Sequence, residues 1–267
     1  MMSFNNYLKN GIVILGAGNV ATHLSMSLKE NNFEIKCIYS KTLQSAEKLG
    51  KKLQSNFTND LNKIPNNADL YIISIKDENI FDLAKDLNIE KGIIVHTAGS
   101  ISINVFKDHY SNYGVFYPLQ TFSKTRDVDF SNIPICIESS NQEVKDKLSD
   151  IAKCLSKNVY EIDSEKRKVL HLAAVYACNF ANHMFSIASD ILNQSEISFD
   201  LLKPLIEETA RKAIDVGPDK AQTGPAVRND QNVIKNHLEL LKDNKEYEKI
   251  YRFVSESIFK LNKEKNK

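Results

Sequence analysis

The chain has 267 residues, 42% of them hydrophobic and 26% charged, with a formal net charge of +1. That length supports one to two domains, each large enough to bury a core without staples, and near-neutral charge lacks the footprint of a protein that wraps nucleic acid or lies on an anionic membrane, so neither partner is expected. The four cysteines, Cys37, Cys136, Cys154 and Cys178, are scattered without a CxxC spacing, which supports neither a metal site nor a disulfide framework and points to a reducing cytoplasm.

The first nine residues are polar and Asn-rich, without the apolar stretch of a secretory signal. Gly11 to Leu15 is a β-branched-rich apolar run, the pattern of a buried strand, and Asn19 to Lys29 repeats Val20, Leu24 and Leu28 at helical spacing. The alternation then continues with a strand over Phe33 to Tyr39, a helix over Thr42 to Leu53, a strand over Leu70 to Ile75, a helix over Ile80 to Leu87 and a strand over Ile93 to His96. Strand segments at Gly114 to Tyr117 and Ile133 to Glu138 precede a helix over Gln142 to Ser156 and a short strand over Val159 to Ile162. Such alternation predicts an α/β domain, a doubly wound parallel sheet with helices on both faces.

Beyond Asp163 the strand signals stop. Helical patterns run over Glu165 to Leu192, Leu201 to Val216, Asn229 to Lys242 and Glu246 to Leu261, before a Lys/Asn-rich tail. The chain therefore divides, on its sequence, into residues 1–163 and an all-helical domain over residues 164–267. Val169 to Ala188 is the longest apolar-rich stretch, but His171, Asn179, Asn182, His183 and Ser186 interrupt it; it reads as a buried helix rather than a membrane span.

Three features carry chemistry. Gly16, Gly18 and Ala21 form G-x-G-x-x-A between a strand and a helix, where glycines permit a tight turn and close approach of a pyrophosphate to the helix amino terminus; the competing reading is a βα turn without a ligand. About twenty residues on, where an acid would hold the ribose 2′-hydroxyl of NAD, the chain has Ser40, Lys41 and Thr42, which suits a 2′-phosphate and favours NADP over NAD; alternatively Lys41 is a surface lysine beside a helix cap. At about 100° per residue, His171, Asn179, Asn182, His183, Ser186 and Ser189 fall in one sector of roughly 120°, and Val169 to Ser189 contains no charged residue except the histidines' potential charge. That stripe reads either as the lining of a polar cleft or as satisfied core hydrogen bonds. Loops at His96–Ser100, at Tyr117–Thr121 and at Gln222–Pro225 with Arg228 supply further polar groups.

The segments Ile14–Ala21, Ser74–Asp77, His96–Gly99, Tyr117–Phe122, Leu170–Ala174, Asn179–His183 and Gln222–Asp230 together resemble the bacterial Rossmann-like proteins with a DUF2520 carboxyl-terminal domain, described as NADP oxidoreductases and similar to pyrroline-5-carboxylate reductase, F420-dependent NADP oxidoreductase and the 6-phosphogluconate dehydrogenase superfamily. Residues and resemblance together lead to these expectations: Gly16, Ala17, Gly18, Asn19, Val20, Ser40, Lys41, Lys76, His96 and Thr97 bind the cofactor; His171, Asn179, Asn182 and His183 act in catalysis; Tyr117, Gln120, Thr121, Gln222 and Arg228 bind a small anionic substrate held between the domains; the protein is a homodimer through its helical domain and holds no metal. The chain departs from its better-known relatives in Lys76-Asp77 where a Lys-Pro is common, and in Asn179-x-x-Asn182-His183 where β-hydroxyacid dehydrogenases begin the pattern with a catalytic lysine. Hydride transfer from NADPH to a C=N or C=O carbon is the leading expectation; an inactive NADP-binding sensor or interaction protein is the alternative, and a turn holding FAD or S-adenosylmethionine is a third.

Overall fold

A computed structural model describes residues 8–265; the first seven residues of the polar amino terminus and the last two of the Lys/Asn-rich tail lie outside the described residues. The chain divides into two compact units, one running to Cys178 and the other from Asn179.

In the first unit, strands β1 (Ile12–Leu15), β2 (Ile35–Tyr39), β3 (Asn56–Thr58), β4 (Leu70–Ile73), β5 (Ile93–His96), β6 (Tyr113–Pro118), β7 (Ile135–Ser139) and β8 (Val159–Glu161) form one sheet. Their order is β3-β2-β1-β4-β5-β6-β7-β8. Alternate residues of β1 serve different cores: Ile12 and Ile14 pack with Leu24, Leu28, Ile72 and Phe116 on one side, while Val13 and Leu15 pack with Tyr71, Ile73 and Phe106 on the other. A strand buried on both faces has to be apolar throughout, which is why β1 reads as a continuous run rather than an alternation.

Helices α1 (Asn19–Glu30), α2 (Leu43–Leu53), α3 (Ile80–Asp86) and α4 (Gln142–Leu155) flank the sheet. Ala21, Leu24 and Leu28 are buried at helical spacing on α1, and Asn141 caps α4 by accepting from the Val144 amide at 3.0 Å.

Two details depart from the expected sheet. The strand β3 joins the edge beside β2, yet its Asn56 and Phe57 are exposed, so it lacks the apolar run that marks a strand in sequence. β6 and β7 pair antiparallel, with Tyr117 opposite Cys136 and Val115 opposite Glu138. Only a 3-10 turn, Phe130–Asn132, lies between them.

The long helical stretch after β8 is α5 (Ser164–Ala174), a π-helical segment over Val175–Phe180 and α6 (Ala181–Asn193). The π segment interrupts the 3.6-residue period on which the single polar sector depends, so that sector does not carry through the stretch. Nor is the stretch buried on most sides: Val169 is 68% and Leu172 58% exposed, and Met184 and Phe185 are exposed as well. Apolar composition alone does not bury a helix face; something must cover it.

The second unit continues with α7 (Lys203–Val216), α8 (Pro218–Ala221), α9 (Gln231–Leu240) and α10 (Lys245–Lys265). Tyr247 donates to Asp190 at 2.6 Å, and His237 and Tyr251 share a 2.8 Å hydrogen bond. Among the described residues no helix is long and apolar enough to cross a membrane, and no cluster of His, Cys, Asp and Glu could hold a metal ion.

Candidate active site

At the carboxyl edge of the sheet the first unit opens a cavity of about 850 Å³, within the range of small-molecule sites. The turn from β1 to α1 forms one wall. Gly16 has φ +133°, and a Cβ there would lie 2.0 Å from the Ser74 carbonyl oxygen, so only glycine fits. Gly18 differs: a Cβ there would meet nothing within 4 Å. The protein's own packing does not demand glycine at that position, whereas a ligand approaching the backbone would.

Gly18 also caps α1 without a side-chain acceptor, and no acidic residue occupies the first turn. The first helical bond runs from the Thr22 amide to the Gly18 carbonyl at 3.0 Å. Helix geometry leaves the preceding amides without an intrahelical acceptor, and with the positive end of the helix dipole they form an anion site. Ala17, Asn19 and Val20 line the cavity beside them.

Ser40 and Lys41, where β2 ends, line the same cavity with Ser45 from α2. Lys41 Nζ lies 3.3 Å from Asn79 Oδ1 and is exposed. Asp82 and Asp86 stand on the α3 side of the cavity. Burial raises the pKa of the Tyr39 phenol at this end, with Asp60 and Asp86 adding to the rise.

From β4 and β5 come Ser74, Lys76, Asp77, Thr97, Ala98 and Gly99. Thr97 donates to Ser74 Oγ at 3.1 Å, and Ser100 bonds to Asp77. His96 shares this region of the chain but not the cavity. Its ring is fully buried and packs 5.6 Å from Phe106, and its Nδ1 accepts from the Ala98 amide at 3.2 Å. Desolvation, helped by the Arg167 charge, lowers the imidazole pKa to about 3, so the ring is neutral.

The far wall is Tyr117, Pro118, Gln120 and His171. The Tyr117 hydroxyl lies 3.1 Å from His171 Nδ1, with the rings edge to face and their centroids 6.1 Å apart. Burial pushes the Tyr117 phenol up to about 12, with Cys136 adding and Arg167 opposing. The His171 ring sits so close to Gly99 that a Cβ at that position would lie 2.6 Å from the imidazole Cγ.

Of the expected cofactor residues, Gly16, Ala17, Gly18, Asn19, Val20, Ser40, Lys41, Lys76 and Thr97 share this cavity, as do Tyr117, Gln120 and His171. Thr121 is exposed beside Gln120, whose Oε1 accepts from its amide at 2.8 Å. Asn179, Asn182, His183, Gln222 and Arg228 are exposed residues of the second unit. There Asn182 lines a separate cleft of about 470 Å³ with Ser186, Ser189 and Lys203.

Sequence reasoning missed Arg167 and Glu138. Arg167 is fully buried, pairs with Glu138 of β7 and reaches the Ile101 carbonyl. The Ser164 hydroxyl donates to Glu138 at 2.8 Å and accepts from the Ile103 amide at 3.0 Å. These bonds tie α5 to the sheet and to the loop after β5. Within the run Ser-Glu-Lys-Arg-Lys, Arg167 looks like one of several solvated charges; only its placement four residues before His171, on the same helical face, hints otherwise.

Comparison with known proteins agrees with this geometry. Residues 11–99 match the family "NADP oxidoreductase coenzyme F420-dependent", and residues 133–258 match "Domain of unknown function (DUF2520)". A solved structure described as a "putative NADP oxidoreductase" from Bacteroides fragilis is 47% identical, with 93% of this chain and 97% of that one covered and a TM-score of 0.88. A protein from Thermotoga maritima is 20% identical over 96% of this chain and 100% of its own, with a TM-score of 0.71. An imine reductase from Myxococcus stipitatus in complex with NADP+ is 13% identical over 95% of this chain and 93% of its own, with a TM-score of 0.64. The last two show a shared fold. No curated protein matches.

Proposed function

Because the chain belongs to the family of Rossmann-like proteins that carry a DUF2520 domain, we propose that it is an NADP-dependent oxidoreductase that delivers hydride to the C=N or C=O carbon of a small anionic substrate. The observation that carries this reading is the empty space at Gly18, beside an uncapped helix start. A bound nicotinamide dinucleotide supplies the hydride; the chain's residues hold and orient it. The amides around Ala17 to Val20 receive the diphosphate, and Ser40 and Lys41 receive the 2′-phosphate, since β2 ends without the acid that would hold a ribose 2′-hydroxyl. Lys76 and Thr97 bound the remainder of the dinucleotide, and Tyr117, Gln120 and His171 line the substrate side.

A homodimer formed through the helical unit belongs to the same proposal. Among the described residues of that unit Ala226 alone of the hydrophobic side chains is buried, while Leu201, Leu205, Ile214, Leu240 and Phe253 are exposed. An apolar surface of that extent calls for a partner, and a second copy is always available. The four free cysteines support placing the protein in the reducing cytoplasm.

Titration with NADPH and NADH is the test: binding in the range of about 1 to 100 μM that favours NADPH supports the reading, and failure of both to bind removes it. Gly18→Val should weaken NADPH binding at least about tenfold, roughly the 1.4 kcal/mol of one decade, with little change in melting temperature because no packing opposes the new side chain. The missing lysine ahead of Asn182 and His183 favours a second reading, a cofactor-binding sensor without turnover. Tight NADPH binding with no oxidation by a panel of cyclic imines and 2-oxo acids selects it.

A further inference from the structure

Within the cavity, one pair of side chains is built more tightly than cofactor binding requires. Tyr117 comes from β6 and His171 from α5, and both face the space in front of the glycine turn. Three arrangements fix them. Gly99 leaves the imidazole a seat that even a methyl group would fill. One turn earlier on α5, the buried Arg167 pairs with Glu138 and bonds the Ile101 carbonyl, which sets the rotation of that helix. Glu138 and Cys136 lie two residues apart on β7, and Cys136 is opposite Tyr117, so phenol and guanidinium clamp project from one sheet face.

We propose that Tyr117 is the catalytic acid of the reaction and that His171 is the relay that orients and recharges it. This rests on the reading of the cavity as a nicotinamide dinucleotide site. His171 Nδ1–H donates to the phenolic oxygen, so that the phenol's own hydrogen points into the cavity. When hydride adds to the substrate carbon, the π pair of the C=N or C=O bond moves onto the heteroatom, which takes the Tyr117 proton. The product is the amine or alcohol, the substrate has gained two electrons, and the cofactor has lost them. The phenolate then takes the Nδ1 proton of His171 as the partly exposed residue takes one from water at Nε2; exchange with water returns that proton to Nδ1 and turns the phenol hydrogen back into the cavity, so each turnover consumes one proton from solvent and restores the starting tautomer. The charged and titratable groups that act on the phenol are Cys136 of β7, Arg167 of α5, Asp77 after β4 and Cys178 of the π segment. Burial keeps the hydroxyl protonated throughout the neutral range, as a proton donor must be between turnovers.

Nitrogen NMR of the full-length protein labelled with 15N-histidine tests the orientation without substrate, with His171→Gln identifying the signal. A proton on Nδ1 in the wild type that moves to Nε2 in Tyr117→Phe supports the proposal; an unprotonated, accepting Nδ1 in the wild type overturns it, because the phenol would then spend its hydrogen on the imidazole. In parallel, NADPH oxidation with the panel of cyclic imines and 2-oxo acids should fall about 100-fold or more in Tyr117→Phe and about tenfold in His171→Gln. NADPH affinity, read by nicotinamide fluorescence, should stay within about threefold. Undiminished turnover in Tyr117→Phe overturns the proposal, and a panel without turnover leaves the decision to the NMR result. Wild-type protein that binds neither NADPH nor NADP+ overturns the cofactor reading instead, a failure distinguishable from the others.

Discussion

The sheet unit and the helical unit solve the same problem differently. In the first, β1, β4 and β5 are buried along their whole length and two separate cores fill both sheet faces. In the second, Ile214 and Leu240 are each 82% exposed, and Ala226 is the one buried hydrophobic residue among those described. The sheet unit holds its fold by burial inside one chain; the helical unit has apolar surface that this chain leaves bare. Burial contributes roughly 25 cal/mol per Å² of apolar area, so the two units differ in where their stability originates.

The largest effect that would sharpen this contrast lies in the sheet unit. Arg167→Ala leaves Glu138 as an unpaired, mostly buried charge, which costs about 3–5 kcal/mol and should appear as a lowered urea midpoint that does not depend on protein concentration. Next comes the helical unit, where Ile214→Asp and Leu240→Asp alter residues that are already exposed. In a monomer such changes are nearly neutral; in the proposed dimer they should weaken association by about 2 kcal/mol or more. Light scattering across a dilution series would then show an earlier onset of monomer, and an unchanged profile would break the contrast.

Acid provides the third probe. His96 titrates near 3 in the folded protein against an ordinary value of 6.5, so the unfolded chain binds a proton that the fold refuses. Its contribution is complete above pH 6.5 and is lost as pH falls toward 3, by up to about 1.4 kcal/mol per pH unit. Urea unfolding at pH 7 and pH 5 should show this loss in the sheet unit, and His96→Gln should flatten it. The smallest effect is at the rim of the cavity. Lys41→Ala should narrow the preference for NADPH over NADH by about fivefold, close to 1 kcal/mol, with thermal stability unchanged because the lysine is exposed.

How far the sequence reaches follows the same division. The order of strands and helices in the sheet unit is legible because burial on both faces forces continuous apolar runs, and the glycine turn is legible because Gly16 answers a local backbone requirement and Gly18 follows it at the spacing a ligand's approach requires. The edge strand β3 and the reversal at β7 are not, since the first has no buried face to show and the direction of the second is a long-range pairing that the local pattern of β6 and β7 does not record. Arg167 hides for another reason: its partners Glu138 and Ile101 are distant in sequence, and a buried arginine is spelled like a solvated one. In the helical stretch, periodicity detects an apolar helix but not its register after the π segment, nor what its face meets.

The seat of His171 on Gly99 has one more consequence. The space beneath the ring holds no side chain at all, so the two positions, one in a loop and one on a helix, cannot change independently: any larger residue at 99 evicts the imidazole. Among homologues the pair should therefore covary, with glycine kept wherever histidine is kept and released where a smaller residue replaces it.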